Sequence, residues 1–271
     1  MMNKWVFAAI LYMAVVIGGF TLYDKLVPEE KIAAAETGEH QHESASTGQG
    51  HGENSQHGED SEVNVYVKAQ KDDIKIYLKD KTGKPVHDLE VNHEKLLHFI
   101  IVDDRLQKYY HLHPEQMGDG EFRITNGLPD GFYKAFVDIK PKDLAYHVTP
   151  VPFIVGDPIQ TTAGKELTPD RTLVQQVDGE TVKLTMSSLR ANEPVTLSFD
   201  LDQSKLTPYL GAMGHVVILD EHAQRFLHVH PANEKEPVFQ TTFSQPGLYK
   251  IWAEFKQNGT VRAFPFVVEI K

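Results

Sequence analysis

His98-Phe99-Ile100-Ile101-Val102-Asp103, followed by His111-Leu112-His113-Pro114, recurs further along the chain as His215-Val216-Val217-Ile218-Leu219-Asp220 followed by His228-Val229-His230-Pro231. The three histidines keep the same spacing in both copies. Outward from these segments the correspondence runs through Gly131-Phe132-Tyr133-Lys134 and Gly247-Leu248-Tyr249-Lys250, and closes on Pro152-Phe153 and Pro265-Phe266. Such self-similarity marks two copies of one structural unit. Each copy consists of short runs rich in Val, Ile, Tyr, Phe and Thr, broken by Gly, Pro, Asn and Asp, which is how strands read. In the first copy the runs are Val63 to Lys68, Ile74 to Leu78, Leu97 to Val102, Tyr109 to His113, Glu121 to Ile124, Tyr133 to Ile139 and Val151 to Val155. In the second they are Val182 to Met186, Val195 to Phe199, Val216 to Leu219, Phe226 to Val229, Phe239 to Phe243, Tyr249 to Phe255 and Val261 to Ile270. Roughly seven short strands per copy predict an all-β chain of tandem immunoglobulin-like β-sandwiches, without the Cys and Trp markers of antibody domains.

The remainder of the 271 residues frames these two units. Trp5 to Tyr23 is an apolar run without a charge, preceded by Lys4 and closed by Asp24 and Lys25, and it has the length of a bilayer-spanning helix. The run predicts export. A retained anchor is favoured over a cleaved leader because the small-residue stretch Ala33-Ala34-Ala35 lies well beyond it, and cleavage would release the chain as a secreted protein. Glu36 to Glu62 is built of Gly, Ser, Gln, His and Glu without aromatic or large aliphatic residues, so it lacks the apolar surface needed to order itself. The expected plan is a signal or anchor helix at 1–25, a His/Glu/Gly-rich disordered linker at 26–61, a first sandwich at 62–157 and a second at 158–271. The domains would then stand on the extracytoplasmic side of a single-pass membrane protein.

Composition narrows the chemistry. Lys and Arg number 27 against 38 Asp and Glu, a net charge of -11, which disfavours nucleic acid and suits cations. There is no cysteine, so thiolate ligands, disulfides and thiol redox chemistry are excluded, and a metal must be held by His, Met or carboxylate. Side chains alternate along a strand, so His111 and His113 share a face, as do His228 and His230. If each histidine-led strand turns back antiparallel, His98 falls opposite His113 and His215 opposite His230. Directly opposite residues share a face, so each copy gathers its three imidazoles on one patch. His98, His111 and His113, and His215, His228 and His230, are therefore two candidate metal sites, suited to copper as Cu(I) or Cu(II), with zinc also accommodated. Met213 stands two residues before His215 as a soft fourth ligand, a place taken by Leu96 in the first copy, where His93 offers a substitute from a neighbouring loop. Some of these imidazoles can instead serve as hydrogen-bond supports for the ligands.

The segments His93-Glu94-Lys95 with His98 and His111-Leu112-His113-Pro114, and Tyr209-Leu210-Gly211-Ala212-Met213-Gly214-His215 with His228-Val229-His230-Pro231, resemble exported bacterial proteins with His-X-His-Pro sandwich modules associated with copper handling. More remotely they resemble YtkA-like and CopC-like domains. The resemblance covers both units and implies an extracytoplasmic setting and copper, although the amino-terminal His through which CopC-like proteins bind is absent. The expected function is copper capture, delivery or resistance with one three-histidine site per domain, serving a partner such as a copper transporter or oxidase. A zinc-binding or purely structural envelope module is the alternative. No Ser-His-Asp arrangement, phosphate loop or paired-carboxylate signature is present, so no enzyme is expected.

Overall fold

A computed structural model describes residues 61–159, 167–229, 231 and 235–271, all within one compact unit. The expected amino-terminal helix, the linker up to residue 60 and His230 lie outside the described residues. No helix among the described residues is long and apolar enough to cross a membrane.

The first module contains β1 (Val63–Ala69), β2 (Asp73–Asp80), β3 (Leu89–Glu90), β4 (Leu97–Asp103), β5 (Tyr109–Leu112), β6 (Glu115–Gly118), β7 (Glu121–Thr125), β8 (Gly131–Pro141) and β9 (Val151–Val155). The second contains β10 (Val174–Val177), β11 (Glu180–Met186), β12 (Pro194–Asp200), β13 (Leu206–Thr207), β14 (His215–Asp220), β15 (Phe226–Val229), β16 (Val238–Thr242), β17 (Gly247–Gln257) and β18 (Thr260–Ile270). Each module is a pair of antiparallel sheets. In the first, an outer sheet ordered β1-β2-β7-β6 faces an inner sheet in which β8 pairs with β3, β4 and β9 and β4 pairs with β5. In the second, the outer order is β10-β11-β12-β16, and in the inner sheet β17 pairs with β13, β14 and β18 while β14 pairs with β15. The described part of the chain is thus all-β, a tandem of β-sandwiches.

All fourteen expected runs coincide with strands, their ends shifted by a residue or two. The four additional strands carried little signal: β3 and β13 have two residues each, β6 is fully exposed, and β10 is the polar edge sequence Val174-Gln175-Gln176-Val177.

Apolar side chains from the facing sheets fill each sandwich. Ile74, Ile76, Phe99, Ile101, Phe122 and Val137 form the first core, and Leu184, Leu197, Val216, Ile218, Phe239 and Phe255 belong to the second. The tyrosine hydroxyl at the head of each long inner strand donates to a backbone carbonyl four residues upstream, Tyr133 to Pro129 and Tyr249 to Gln245, both at 2.8 Å. This is the tyrosine corner found in immunoglobulin-like sandwiches, here in duplicate.

A third apolar cluster joins the modules. It contains Ile100, Val102 and Phe136 from the first inner sheet and Val217, Leu219 and Trp252 from the second. The strand period of two explains how: Leu97, Phe99 and Ile101 point into their own sandwich, whereas His98, Ile100 and Val102 point at the other module. Every residue of β4 and of β14 is consequently buried. The packing is reciprocal. Tyr109 stacks on Trp252 with ring centroids 4.9 Å apart, and Phe226 stacks on Phe136 at 5.1 Å, so the β5 and β15 hairpin strands each cover the long inner strand of the opposite module. The ammonium of Lys134 donates to the carbonyl of His222 at 2.5 Å across the same boundary.

Candidate metal centre

The observed registers pair Phe99 with Leu112 and Ile100 with His111, and Val216 with Val229 and Val217 with His228. These are the registers expected from the sequence, and in the first module they bring the three imidazoles together. His98 Nδ1 lies 2.9 Å from His111 Nε2 and 3.2 Å from His113 Nε2. One ligand atom from each of His98, His111 and His113 falls within 4.8 Å of the other two.

Two tight turns set the leading histidines. Asn92 and Lys95 bridge a turn whose central residues His93 and Glu94 have φ of 46° and 62°, and Tyr209 and Ala212 bridge its counterpart with Leu210 and Gly211 at 50° and 76°. Positive φ at both central positions is the geometry of a type I′ turn, which suits the twist of the flanking strands. The carbonyl that opens each turn accepts the Nε2–H of the leading histidine, Asn92 from His98 at 2.9 Å and Tyr209 from His215 at 2.8 Å. A carbonyl only accepts, so both rings carry hydrogen on Nε2 and present Nδ1 as a bare lone pair. Gly214 is required beside His215, because a Cβ there would come within 2.5 Å of the Phe255 ring and 2.8 Å of the Glu254 carbonyl.

The His-X-His residues are held from across the module boundary. His111 Nδ1–H donates to Glu254 Oε2 at 2.5 Å, with the two side chains 0% and 7% exposed. His228 Nδ1–H donates to Asp138 Oδ2 at 2.6 Å, at 4% and 14%. Asp138 lies opposite His98 in the β4–β8 ladder, and Glu254 lies opposite His215 in the β14–β17 ladder. The two carboxylates thus occupy equivalent places, and each serves a histidine of the other module.

Sequence reasoning expected one self-contained trio in each module. The first trio does gather within its own module, and the described histidines of the second, His215 and His228, lie beside it, because the face of each inner sheet that carries the histidines is the face buried against the other module. The ring of His228 is 5.2 Å from that of His98 and 5.7 Å from that of His111, and His111 is 6.1 Å from His215. His93 lies at the junction, with its ring 6.2 Å from His98, 5.6 Å from His215 and 6.0 Å from His228. The facing turns approach as well, Glu94 lying 3.7 Å from where a Cβ on Gly211 would stand. Met213 is half-buried between its turn and β14.

Asp138 and Glu254 escaped the sequence reading. Their signal was present, as one carboxylate at the same place in two otherwise apolar stretches, Ala135-Phe136-Val137-Asp138 and Ile251-Trp252-Ala253-Glu254.

Burial governs the protonation of the cluster. It drives His98 well below its ordinary value, helped by the charge of His228, and takes His215 down to about 3 for the same two reasons. His113 falls to about 4 through burial and then His111, and burial lowers His93 against the opposing pull of Asp138. Burial and then Glu254 raise Tyr209 to about 12 and push Tyr109 well above the phenol range. The leading imidazoles are therefore neutral at physiological pH, the form that binds metal.

The donor set fits a cation. With hydrogen fixed on His98 Nε2 and on His111 Nδ1, two lone pairs face one another at 2.9 Å, an arrangement that repels unless a positive centre lies between them. Burial opposes a proton on His98. Three imidazole nitrogens, two of them anchored through the opposite ring nitrogen to an acceptor, form the usual protein environment of a metal ion with His ligands.

A family model described as a domain of unknown function, DUF8832, matches residues 53–156 and 175–271. No curated protein matches the chain. Among solved structures, the chicken CNTN1 FN1-FN3 domains align at 7% identity and a TM-score of 0.23, over 77% of this chain and 66% of that one. The Escherichia coli adhesin FdeC aligns at 15% identity and the same TM-score, over 78% of this chain and 65% of that one.

Proposed function

We propose, for a chain that belongs to the DUF8832 family, that it is a non-enzymatic metal-binding protein held outside the membrane by its apolar amino-terminal run, and that it captures or passes on copper. The observation that carries this reading is the convergence of His98 Nδ1, His111 Nε2 and His113 Nε2 within 4.8 Å. An all-nitrogen site without thiolate follows the general order of divalent affinities, in which Cu(II) exceeds Zn(II). Three protein ligands leave a coordination position open, which is what exchange with a transporter or an oxidase requires. The second group, His215, His228 and His230 with Met213 nearby, repeats the motif and is proposed to bind likewise.

A structural reading draws on a different observation. The hydrogen bonds His111–Glu254 and His228–Asp138 cross the module boundary in buried surroundings, so the cluster also suits a metal-free polar network that fixes how the modules dock. Titration of the full chain with Cu(I), Cu(II) and Zn(II) against competing chelators decides between them. Copper retained more tightly than zinc, and lost on His98→Ala, supports the copper reading; zinc retained more tightly transfers it to zinc. A chain that retains none of the three ions leaves the structural network.

A further inference from the structure

We infer that the metal site of the first module is completed by the second, Glu254 being the positioning residue for His111 and Asp138 the positioning residue for His228. The inference rests on the metal-binding reading and adds to it two positioning residues, and a dependence of the first site on the module that does not contain its ligands.

The geometry carries the argument. Within its own ladder Glu254 stands opposite His215, yet His215 spends its Nε2–H on the carbonyl of Tyr209, and Glu254 reaches instead to His111. Asp138 stands opposite His98, whose Nε2–H goes to Asn92, and reaches to His228. Two equivalent carboxylates on two equivalent strands thus make the same exchange in opposite directions. A carboxylate that accepts from Nδ1–H holds the ring in the tautomer that presents Nε2, fixes its rotation and raises its basicity toward a metal. His111 Nε2 is the atom that faces His98 Nδ1. Without Glu254, His111 is free to place its proton on Nε2, and the site loses one of its three donors.

A linkage follows. Only the docked arrangement supplies Glu254 to His111, so a metal that prefers the completed site stabilises the docked modules, and docking in turn tightens the metal. The first sandwich alone does not contain a fully oriented trio. The stacked pairs Tyr109–Trp252 and Phe136–Phe226 hold the boundary over which the carboxylates reach.

The test uses the ¹⁵N-labelled full chain, first metal-free and then titrated with Cu(I) or Zn(II), both diamagnetic, while the His111 ring nitrogens are followed by NMR. Wild type is expected to carry hydrogen on His111 Nδ1. Glu254→Leu removes the acceptor and is expected to release that tautomer and weaken binding at His98, His111 and His113 about 10–100-fold, although no residue of the first module has changed. Glu254→Gln, whose side-chain carbonyl still accepts, is expected to keep the tautomer and recover most of the affinity. Asp138→Leu should release His228 in the same way. Glu254→Leu that binds with wild-type affinity at the first trio overturns the inference. So does His111 protonated on Nε2 in wild type, a result that needs no variant to fold. A wild type that takes up neither ion defeats the metal reading and the inference together, whereas uptake indifferent to Glu254→Leu defeats the inference alone.

Discussion

The outer and inner sheets of each sandwich are made from similar apolar material and put it to different use. On β1 covered residues, buried at Val63 and half-buried beyond it, alternate with exposed ones, because one face meets the core and the other meets water. On β4 and β14 no residue is exposed, and the polar members His98 and Asp103, or His215 and Asp220, are buried with the rest. A strand covered on one side stabilises its own fold. A strand covered on both sides has a second sheet against it, and that junction is where the histidines collect.

The comparison is put under most strain at Trp252. Trp252→Ala empties the boundary cluster and removes the Tyr109 stack, and should cost about 3–5 kcal/mol in chemical denaturation. Should the loss be no greater than at a solvent-facing position of the outer sheet, the boundary is not a core. Next comes a contrast within the inner sheet. Ile101→Ala, fully buried in the first sandwich, should cost about 2–5 kcal/mol, whereas His113→Ala, half-buried at the rim of the cluster, should cost under about 1 kcal/mol while weakening metal binding. An unfolded His113→Ala beside a stable Ile101→Ala would make the histidines scaffolding.

Acid offers a further distinction. His98, His113 and His215 are depressed in the folded chain, so below pH 6.5 the unfolded chain takes up protons that the folded one refuses. The unfolded state then binds more protons, and stability rises with pH across that window. The melting temperature of the metal-free protein should accordingly fall as pH drops from 7 toward 4, and His113→Ala should make that fall shallower. For the same reason, metal should be retained below the ordinary imidazole value of 6.5. The smallest effect belongs to the outer sheet: Tyr66→Ala, on a side chain 53% exposed, should stay within about 0.5 kcal/mol and leave metal affinity untouched.

The parts of the molecule that were readable from sequence are those governed by local period. The alternation of His-X-His, the return of each hairpin and the register that sets His98 against His113 follow from two-residue periodicity and turn chemistry, and all were legible. The docking was not, because it joins residues from 88 to 143 positions apart whose complementarity no spacing encodes. A hint existed in the unbroken run Phe99-Ile100-Ile101-Val102 and its counterpart Val216-Val217-Ile218-Leu219, since a strand with one face in water alternates and these do not. The partners of Asp138 and Glu254 were hidden for the same reason. Their role appears only once the two inner sheets are laid face to face and each carboxylate meets a ring it does not neighbour in the chain.

The stacking of Tyr109 on Trp252 gives the molecule its own optical gauge. The chain has two tryptophans, and the other, Trp5, belongs to the apolar amino-terminal run, so emission from the β-sandwich region comes from a single indole sealed at the module boundary. Separation of the modules would wet that indole and move its emission to longer wavelength. A paramagnetic Cu(II) ion arriving at the adjacent histidines would darken it, so joining and loading can be followed in one cuvette without a label.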